Sequence, residues 1–433
     1  MRLQYLMSDD QTSAAGRPRD SLAAIASLVR GEAAVWLREP GLGLAVDAAP
    51  LTIEEVEDAR ARFIRFEPVL STLFPSGGWD GQIRSELIAY PGSGAPNLLV
   101  KCDHALPMAG SVKARGGVYE LLCHVEELAL RRRLISPGQS LEALLTPESL
   151  AVLEARRIVV ASTGNLGFAV GLVARALGLQ AEIHMSHDAK TWKKDRLKSI
   201  GATVIEHACD YTGAVARARS SAEAEDAYFI DDENSRRLFV GYAAAAAELA
   251  GQLSARGLTV GPDSPLIVYL PCGVGGAPGG VTAGLKQIYG QDVLAVFVEP
   301  VASPCVLVAL AAGQGVPVSV YDLGLDNDTI ADGLAVPSAS PLVLQAIGRN
   351  IDAAVAVTDQ AMVQWVRRAW AEAGLRLEPS GASGFAALAL FIERARVAGL
   401  INPTATPIHV VWATGGSLLP EPEFSALLAS DAA

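Results

Sequence analysis

The chain has 433 residues, half of them hydrophobic and 19% charged, with a formal net charge of −12 at neutral pH. That length and apolar content suffice for one large core or two lobes. An acidic balance with no basic stripe argues against recognition of a phosphate backbone, so no nucleic-acid partner is expected.

Cys102, Cys123, Cys209, Cys272 and Cys305 form no CxxC pair and suggest neither a disulfide frame nor a zinc knuckle. The start of the chain carries Asp9, Asp10 and Gln11 where a secretory signal needs an unbroken apolar core. The alanine run at 243–247 is too short to cross a bilayer. A cytoplasmic protein with no membrane partner is therefore expected. Residues 1–95 read as a mostly helical N-terminal extension. Segments 22–28 and 53–63 have helical spacing, with Thr52 or a nearby residue as a cap and Glu54, Glu55 and Glu57 in the first turn. This portion is expected to cover the sheet or one of its edges.

The apolar run Leu98-Leu99-Val100 predicts a strand leading into Gly110-Ser111-Val112-Lys113-Ala114-Arg115-Gly116-Gly117. A periodic segment over 118–130 follows. A lysine at a helix start sits near the positive end of the helix dipole, which disfavours its protonated form and leaves an amine able to attack an aldehyde. The small neighbours leave room for a flat ligand. From this octapeptide alone, an ordinary surface lysine in a turn reads equally well. The basic run Arg131-Arg132-Arg133 fits a solvated helix end, and Pro137-Gly138 marks a loop and a candidate domain crossing.

Strands and helices then alternate. Strands are expected at 158–161, 181–185, 203–206 and 228–230, and helices at 166–177, 191–200 and 211–221. A helix over 236–253 and strands at 266–270, near 294–298, 353–357 and 408–413 continue the pattern. The fold class is α/β, with two doubly wound parallel-sheet lobes and ligands expected beyond the carboxyl ends of strands. Residues 1–139 and 236–433 are expected to form a large domain and 140–235 a small one.

Three loops supply candidate binding groups. Between 273 and 280, five of eight residues are glycine. Such a loop, placed between a strand and a helix, offers bare backbone N–H groups to a phosphate without any basic side chain. It lacks GxxxxGK[ST], and it does not fit GxGxxG in the first βα turn, so a phosphate-bearing cofactor smaller than a dinucleotide suits it better. Ser162-Thr163-Gly164-Asn165 opens another helix. Its amides and hydroxyls suit a carboxylate and its asparagine a ring hydroxyl, although such residues are more often plain caps. Trp412-Ala413-Thr414-Gly415-Gly416 ends the last strand with a hydroxyl able to meet a ring nitrogen.

Lysine, phosphate cradle, anion-binding helix start and neutral hydroxyl together match the needs of pyridoxal 5′-phosphate. A threonine at the pyridine nitrogen leaves that nitrogen largely unprotonated, which favours β-elimination or β-replacement over transamination.

The chain resembles the fold-type II, tryptophan synthase β-like pyridoxal-phosphate family, and within it the bacterial D-serine dehydratases (D-serine ammonia-lyases). The resemblance is carried by the segments at 110–117, 162–167 and 271–286, by Asp231-Asp232-Glu233-Asn234-Ser235, Glu299-Pro300 with Ser303-Pro304-Cys305, Asp332-Gly333-Leu334-Ala335, and by Trp412 to Gly416. It implies that Lys113 is the Schiff-base and proton-transfer residue. It gives the phosphate to Gly273, Val274, Gly275, Gly276 and Ala277, the ring hydroxyl to Asn165, and the pyridine nitrogen to Thr414. The substrate carboxylate falls to Ser162, Thr163 and Gly164. Asp231 is either an acidic partner of the substrate or a solvated helix cap. Glu299 is either a ligand for a monovalent cation such as K⁺ or a surface carboxylate. Ala277 stands where the family usually has glycine, and residues 106–109 also depart from its usual run.

The implied reaction converts D-serine to pyruvate and ammonia, and by the same steps D-threonine to 2-oxobutanoate. An L-serine or L-threonine dehydratase, a β-replacing synthase of the same fold and a non-catalytic binder of the cofactor are the alternatives. Handedness rests on the resemblance alone. The expected partner is a small amino acid, and the expected state is a monomer or homodimer. None of the six histidines is assigned a catalytic role.

Overall fold

The structure, a computed structural model, describes residues 19–38, 51–92, 97–187, 189–313 and 317–429. The reading of Asp9, Asp10 and Gln11 lies outside them. Eleven strands occur among the described residues: β1 (Ala34–Leu37), β2 (Leu87–Ala89), β3 (Leu98–Lys101), β4 (Arg157–Ala161), β5 (Gln180–Ser186), β6 (Thr203–His207), β7 (Tyr228–Ile230), β8 (Leu266–Pro271), β9 (Val293–Pro300), β10 (Ala353–Val357) and β11 (Ile408–Trp412).

The chain divides into two compact units, one of residues 1–50, 85–104 and 246–433, the other of residues 51–84 and 105–245. This differs from the expected division at 139/140 and 235/236. The helix Lys113–Arg131 groups with the four-stranded sheet of the second unit, because Gly117 lets Leu166, on the helix that follows β4, come against its backbone. The long helix Ile53–Leu73 belongs to the same unit, with Arg62 and Arg65 bound to Glu126.

The first unit is built on a seven-stranded sheet in the order β1-β10-β9-β8-β11-β3-β2. Every residue of β8, β9, β10 and β11 is buried, as expected for parallel strands covered on both faces, whose sequences are near-continuous apolar runs. The five inner strands are mutually parallel, so β3, β8, β9, β10 and β11 all end at one edge. The outer strands β1 and β2 are antiparallel. The N-terminal segment thus covers a sheet edge, as expected, but does so with a strand as well as a helix. Behind β1, the helix Arg19–Val29 buries Ala24, Ile25 and Leu28 in one cluster with Leu307 and Val308.

The second unit holds the sheet β6-β5-β4-β7, parallel throughout. Its long N-terminal helix begins at a capping box. The Thr52 hydroxyl accepts from the Glu55 amide at 3.2 Å while the Glu55 carboxylate accepts from the Thr52 amide at 2.8 Å. The helix runs ten residues beyond the periodic segment because Phe66, Val69 and Leu70 prolong its buried face. The helix expected over 236–253 is two, Arg236–Ala243 and Ala245–Ala255.

Candidate active site

In the second unit Lys113 is the first residue of its helix, and its neighbour Val112 supplies no side-chain cap. Its Nζ lies 2.8 Å from Asp232 Oδ2 and 3.2 Å from Oδ1, with the Tyr242 ring centroid at 5.9 Å. Burial disfavours the ammonium, but the charge of Asp232, together with Tyr242, outweighs it, and the lysine is held well above its ordinary pKa. The ion pair with Asp232 thus favours the ammonium over the free amine expected from the helix start alone. A whole carboxylate charge at contact distance overrides the half charge of a helix end.

Gly116 and Gly117 do not leave the room foreseen for a flat ligand. A Cβ on Gly116 would lie 2.3 Å from the Tyr242 ring, and one on Gly117 2.4 Å from Leu166 Cδ1. These glycines let neighbouring side chains approach the helix. Ser111 Oγ, two residues before the lysine, is buried with no hydrogen-bond partner.

The loop after β4 precedes the helix Asn165–Ala176, and the loop after β7, the neighbouring strand, carries the acids. Ser162 Oγ accepts from the amides of Gly164 and Gly167, both at 2.9 Å. Its hydroxyl oxygen is thus engaged inside the loop, while Thr163 and Asn165 are partly exposed. Gly164 has φ +148, and the Lys193 stem packs so closely that a Cβ there would meet its Cδ at 2.5 Å.

Asp231 is not a solvated helix cap. It is buried, paired with Arg219 at 2.6 Å, and accepts from the Glu233 amide at 3.0 Å. The helix that follows is capped by Ser235, whose hydroxyl accepts from the Leu238 amide. The acid facing Lys113 is Asp232. Glu233 completes an acidic triplet, and burial together with repulsion from Asp231 and Asp232 pushes its carboxyl up to about 7.

In the first unit the glycine loop joins β8 to the helix Gly276–Tyr289. Gly275 at its N-cap is left-handed with φ +103 and contributes no side chain to the helix amides. Ala277, the second residue of this helix, is outside the left-handed region, so its Cβ carries no backbone strain. The carbonyl of Gly273 accepts from the thiols of Cys272 and Cys305 at 3.3 and 3.4 Å, and that of Val274 from the Ser340 amide at 2.9 Å.

Thr414 follows β11 and is partly exposed. Just beyond it, a Cβ on Gly381 would meet the Gly415 carbonyl oxygen at 2.3 Å, which places the segment Glu378 to Gly381 against this turn. Ser380 Oγ there is buried and has no hydrogen-bond partner.

Glu299 is not a surface carboxylate. It is fully buried at the end of β9, and its two oxygens accept from the amides of Val306 and Leu307 at 2.7 and 2.8 Å, capping the helix Cys305–Ala312. Burial nevertheless pushes its carboxyl up to about 8. Among the described residues, no three or more His, Cys, Asp or Glu side chains group as a metal site. His184 and His207 hydrogen-bond each other at 2.8 Å, and His184 also meets Glu182 at 2.7 Å.

These residues fit pyridoxal phosphate. A lysine at a helix start, an unpartnered buried hydroxyl at Ser111 and the loop of amides ahead of the helix Asn165–Ala176 stand in one unit. The other holds an uncapped glycine-rich helix start, a hydroxyl beyond β11 and the unpartnered Ser380. Sequence reading missed Asp232 and Tyr242. Asp232 lay in a run already singled out, whereas no sequence pattern pointed to Tyr242.

A pyridoxal-phosphate dependent enzyme family model matches residues 80–410. The chain is 45% identical over 399 residues to a probable D-serine dehydratase of Sinorhizobium medicae, covering 88% of this chain and 90% of that protein. It is 41% identical over 425 residues to D-serine dehydratase of Escherichia coli O6:H1, covering 94% and 96%. Diaminopropionate ammonia lyase from Escherichia coli, solved in complex with D-serine, shares its fold with a TM-score of 0.69 at 18% identity, over 92% of this chain and 97% of that one. The chain belongs to the pyridoxal-phosphate dependent enzymes, with a fold of type II. Among the described residues no helix is long and apolar enough to cross a membrane.

Proposed function

We propose that this chain eliminates water from D-serine and releases pyruvate and ammonia, with D-threonine giving 2-oxobutanoate by the same steps. The observation that carries the reading is extended identity, above 40% over nine-tenths of the chain, to relatives named for that substrate. The placement of Lys113 against an acid at a helix start supports it.

Pyridoxal phosphate, when bound, supplies an aldehyde for amines and a sink for the electrons left when an amino acid gives up its α-proton. The amides of Gly273 to Ala277, at an uncapped helix start, would hold its phosphate, Asn165 would meet the ring hydroxyl and Thr414 the pyridine nitrogen. Lys113 Nζ is the attachment point, and once free it takes the α-proton of the substrate. Asp232 stabilises the charge on Nζ whenever the lysine is protonated. The Thr163 hydroxyl and the loop amides around Gly164 bind the substrate carboxylate, with Ser162 bracing the loop from inside. A neutral hydroxyl at the ring nitrogen directs the reaction to loss of the β-hydroxyl. A monovalent cation beside Glu299, a cytoplasmic location and a monomeric or homodimeric state complete the reading.

The test is pyruvate release from D-serine and L-serine assayed separately. D-Serine is expected to be turned over and L-serine to lag far behind. A preference for L-serine would overturn the handedness, and undiminished activity in Lys113→Ala would overturn the mechanism.

A further inference from the structure

We propose that Asp103 is a positioning residue that sets Thr414 against the cofactor ring through a buried chain of polar contacts reaching Lys101, Ser85 and Glu248. The inference rests on the reading of Thr414 given above.

Four segments far apart in sequence meet here, all within the first unit. Trp412 Nε1 donates to Asp103 Oδ2 at 2.7 Å, and Ser85 Oγ donates to Asp103 Oδ1 at 2.6 Å. Lys101 Nζ donates to Ser85 Oγ at 2.6 Å and to its carbonyl at 2.8 Å, and pairs with Glu248, which also accepts from the Ser85 amide at 3.0 Å. Lys101, Asp103 and Trp412 are fully buried. The peptide just before Thr414 is clamped from both sides, since the Ala413 amide donates to the Lys101 carbonyl at 3.0 Å and the His104 amide to the Ala413 carbonyl at 2.7 Å.

Trp412 and Ala413 are therefore both tied to the segment 101–104, and the Asp103 side chain joins the indole to the charged group behind it. Donors meet both oxygens of the buried Asp103 carboxyl, an indole on one and a hydroxyl on the other, and so fix its orientation. If an unconstrained strand end swung the Thr414 hydroxyl by a fraction of an ångström, its hydrogen bond to a ring nitrogen would be lost, because such bonds weaken steeply with angle. The network removes that freedom. An apolar residue at Asp103 would fill the space without fixing the indole.

The test is a double-mutant cycle on the dissociation constant of pyridoxal phosphate, titrated into the cofactor-free full-length chain and followed by absorbance. Asp103→Asn is expected to weaken binding about tenfold, the size of a lost charge-assisted hydrogen bond, in the presence of Thr414. In a Thr414→Ala background it is expected to change binding less than twofold. Trp412→Phe, which deletes the donor but keeps an aromatic ring, is expected to behave like Asp103→Asn, and an unchanged far-ultraviolet circular dichroism spectrum in both variants guards against one that merely misfolds. An Asp103→Asn effect equally large in the Thr414→Ala background, or none in either, would overturn the inference. Thr414→Ala binding the cofactor as tightly as the unaltered chain would overturn the reading of Thr414 itself and the inference with it.

Discussion

Lys113 and Asp232 stand 119 positions apart in sequence and 2.8 Å apart in space, an ammonium and a carboxylate joined at the start of a helix. The pair raises the lysine above its ordinary pKa. Removing the acid must lower the lysine pKa. Asp232→Asn is accordingly expected to shift the pH profile of cofactor attachment, followed by borohydride trapping, downward by about one unit or more. A profile unmoved by the substitution would show that Asp232 does not govern the amine.

Gly275 sits at φ +103 with Val343 Cγ1 3.0 Å from where a Cβ would be. Gly275→Ala places a strained residue, costing about 1–3 kcal/mol, at the helix start assigned to the phosphate. Affinity for pyridoxal phosphate is expected to fall about tenfold or more, and affinity for pyridoxal, which lacks the phosphate, to fall much less. Equal losses for the two ligands would contradict the phosphate assignment. Both constants come from absorbance titration.

Much of this was legible before any coordinates. The short apolar runs of β8, β9 and β10 read as buried strands, and an acidic first turn beside Thr52 reads as a helix start. The glycine loop declared itself by density. What escaped depended on partners distant in the chain. β1 and β2 have four and three residues, too few for a periodic signal, and exist because β10 and β3 offer them an edge. Which of two adjacent acids faces Lys113 is fixed by the loop backbone after β7, where Arg219 takes Asp231 and leaves Asp232 for the lysine. The dipole of the helix start at Lys113 is visible in the sequence, whereas the carboxylate of Asp232, 119 positions away, is not.

Glu299 should leave a mark on the pH dependence of stability. Burial holds its carboxyl at about 8 against an ordinary value of 4.5. Its contribution is full below pH 4.5 and declines as pH rises through 8. Glu299→Gln, which cannot ionise, is expected to gain on the unaltered chain over that interval by on the order of a few kcal/mol. Denaturant unfolding at pH 5 and pH 8 measures the difference. A constant gap between the two proteins would show that Glu299 is already ionised throughout.

The most direct measurement of the central claim is the mass of peptides from cofactor-loaded protein after borohydride reduction and proteolysis. The reduced pyridoxyl phosphate group is predicted on the peptide containing Lys113, and on no peptide at all from Lys113→Ala. Finding it on Lys193, Lys101 or any other lysine of the unaltered chain would contradict the assignment of Lys113 as the residue around which the chemistry turns.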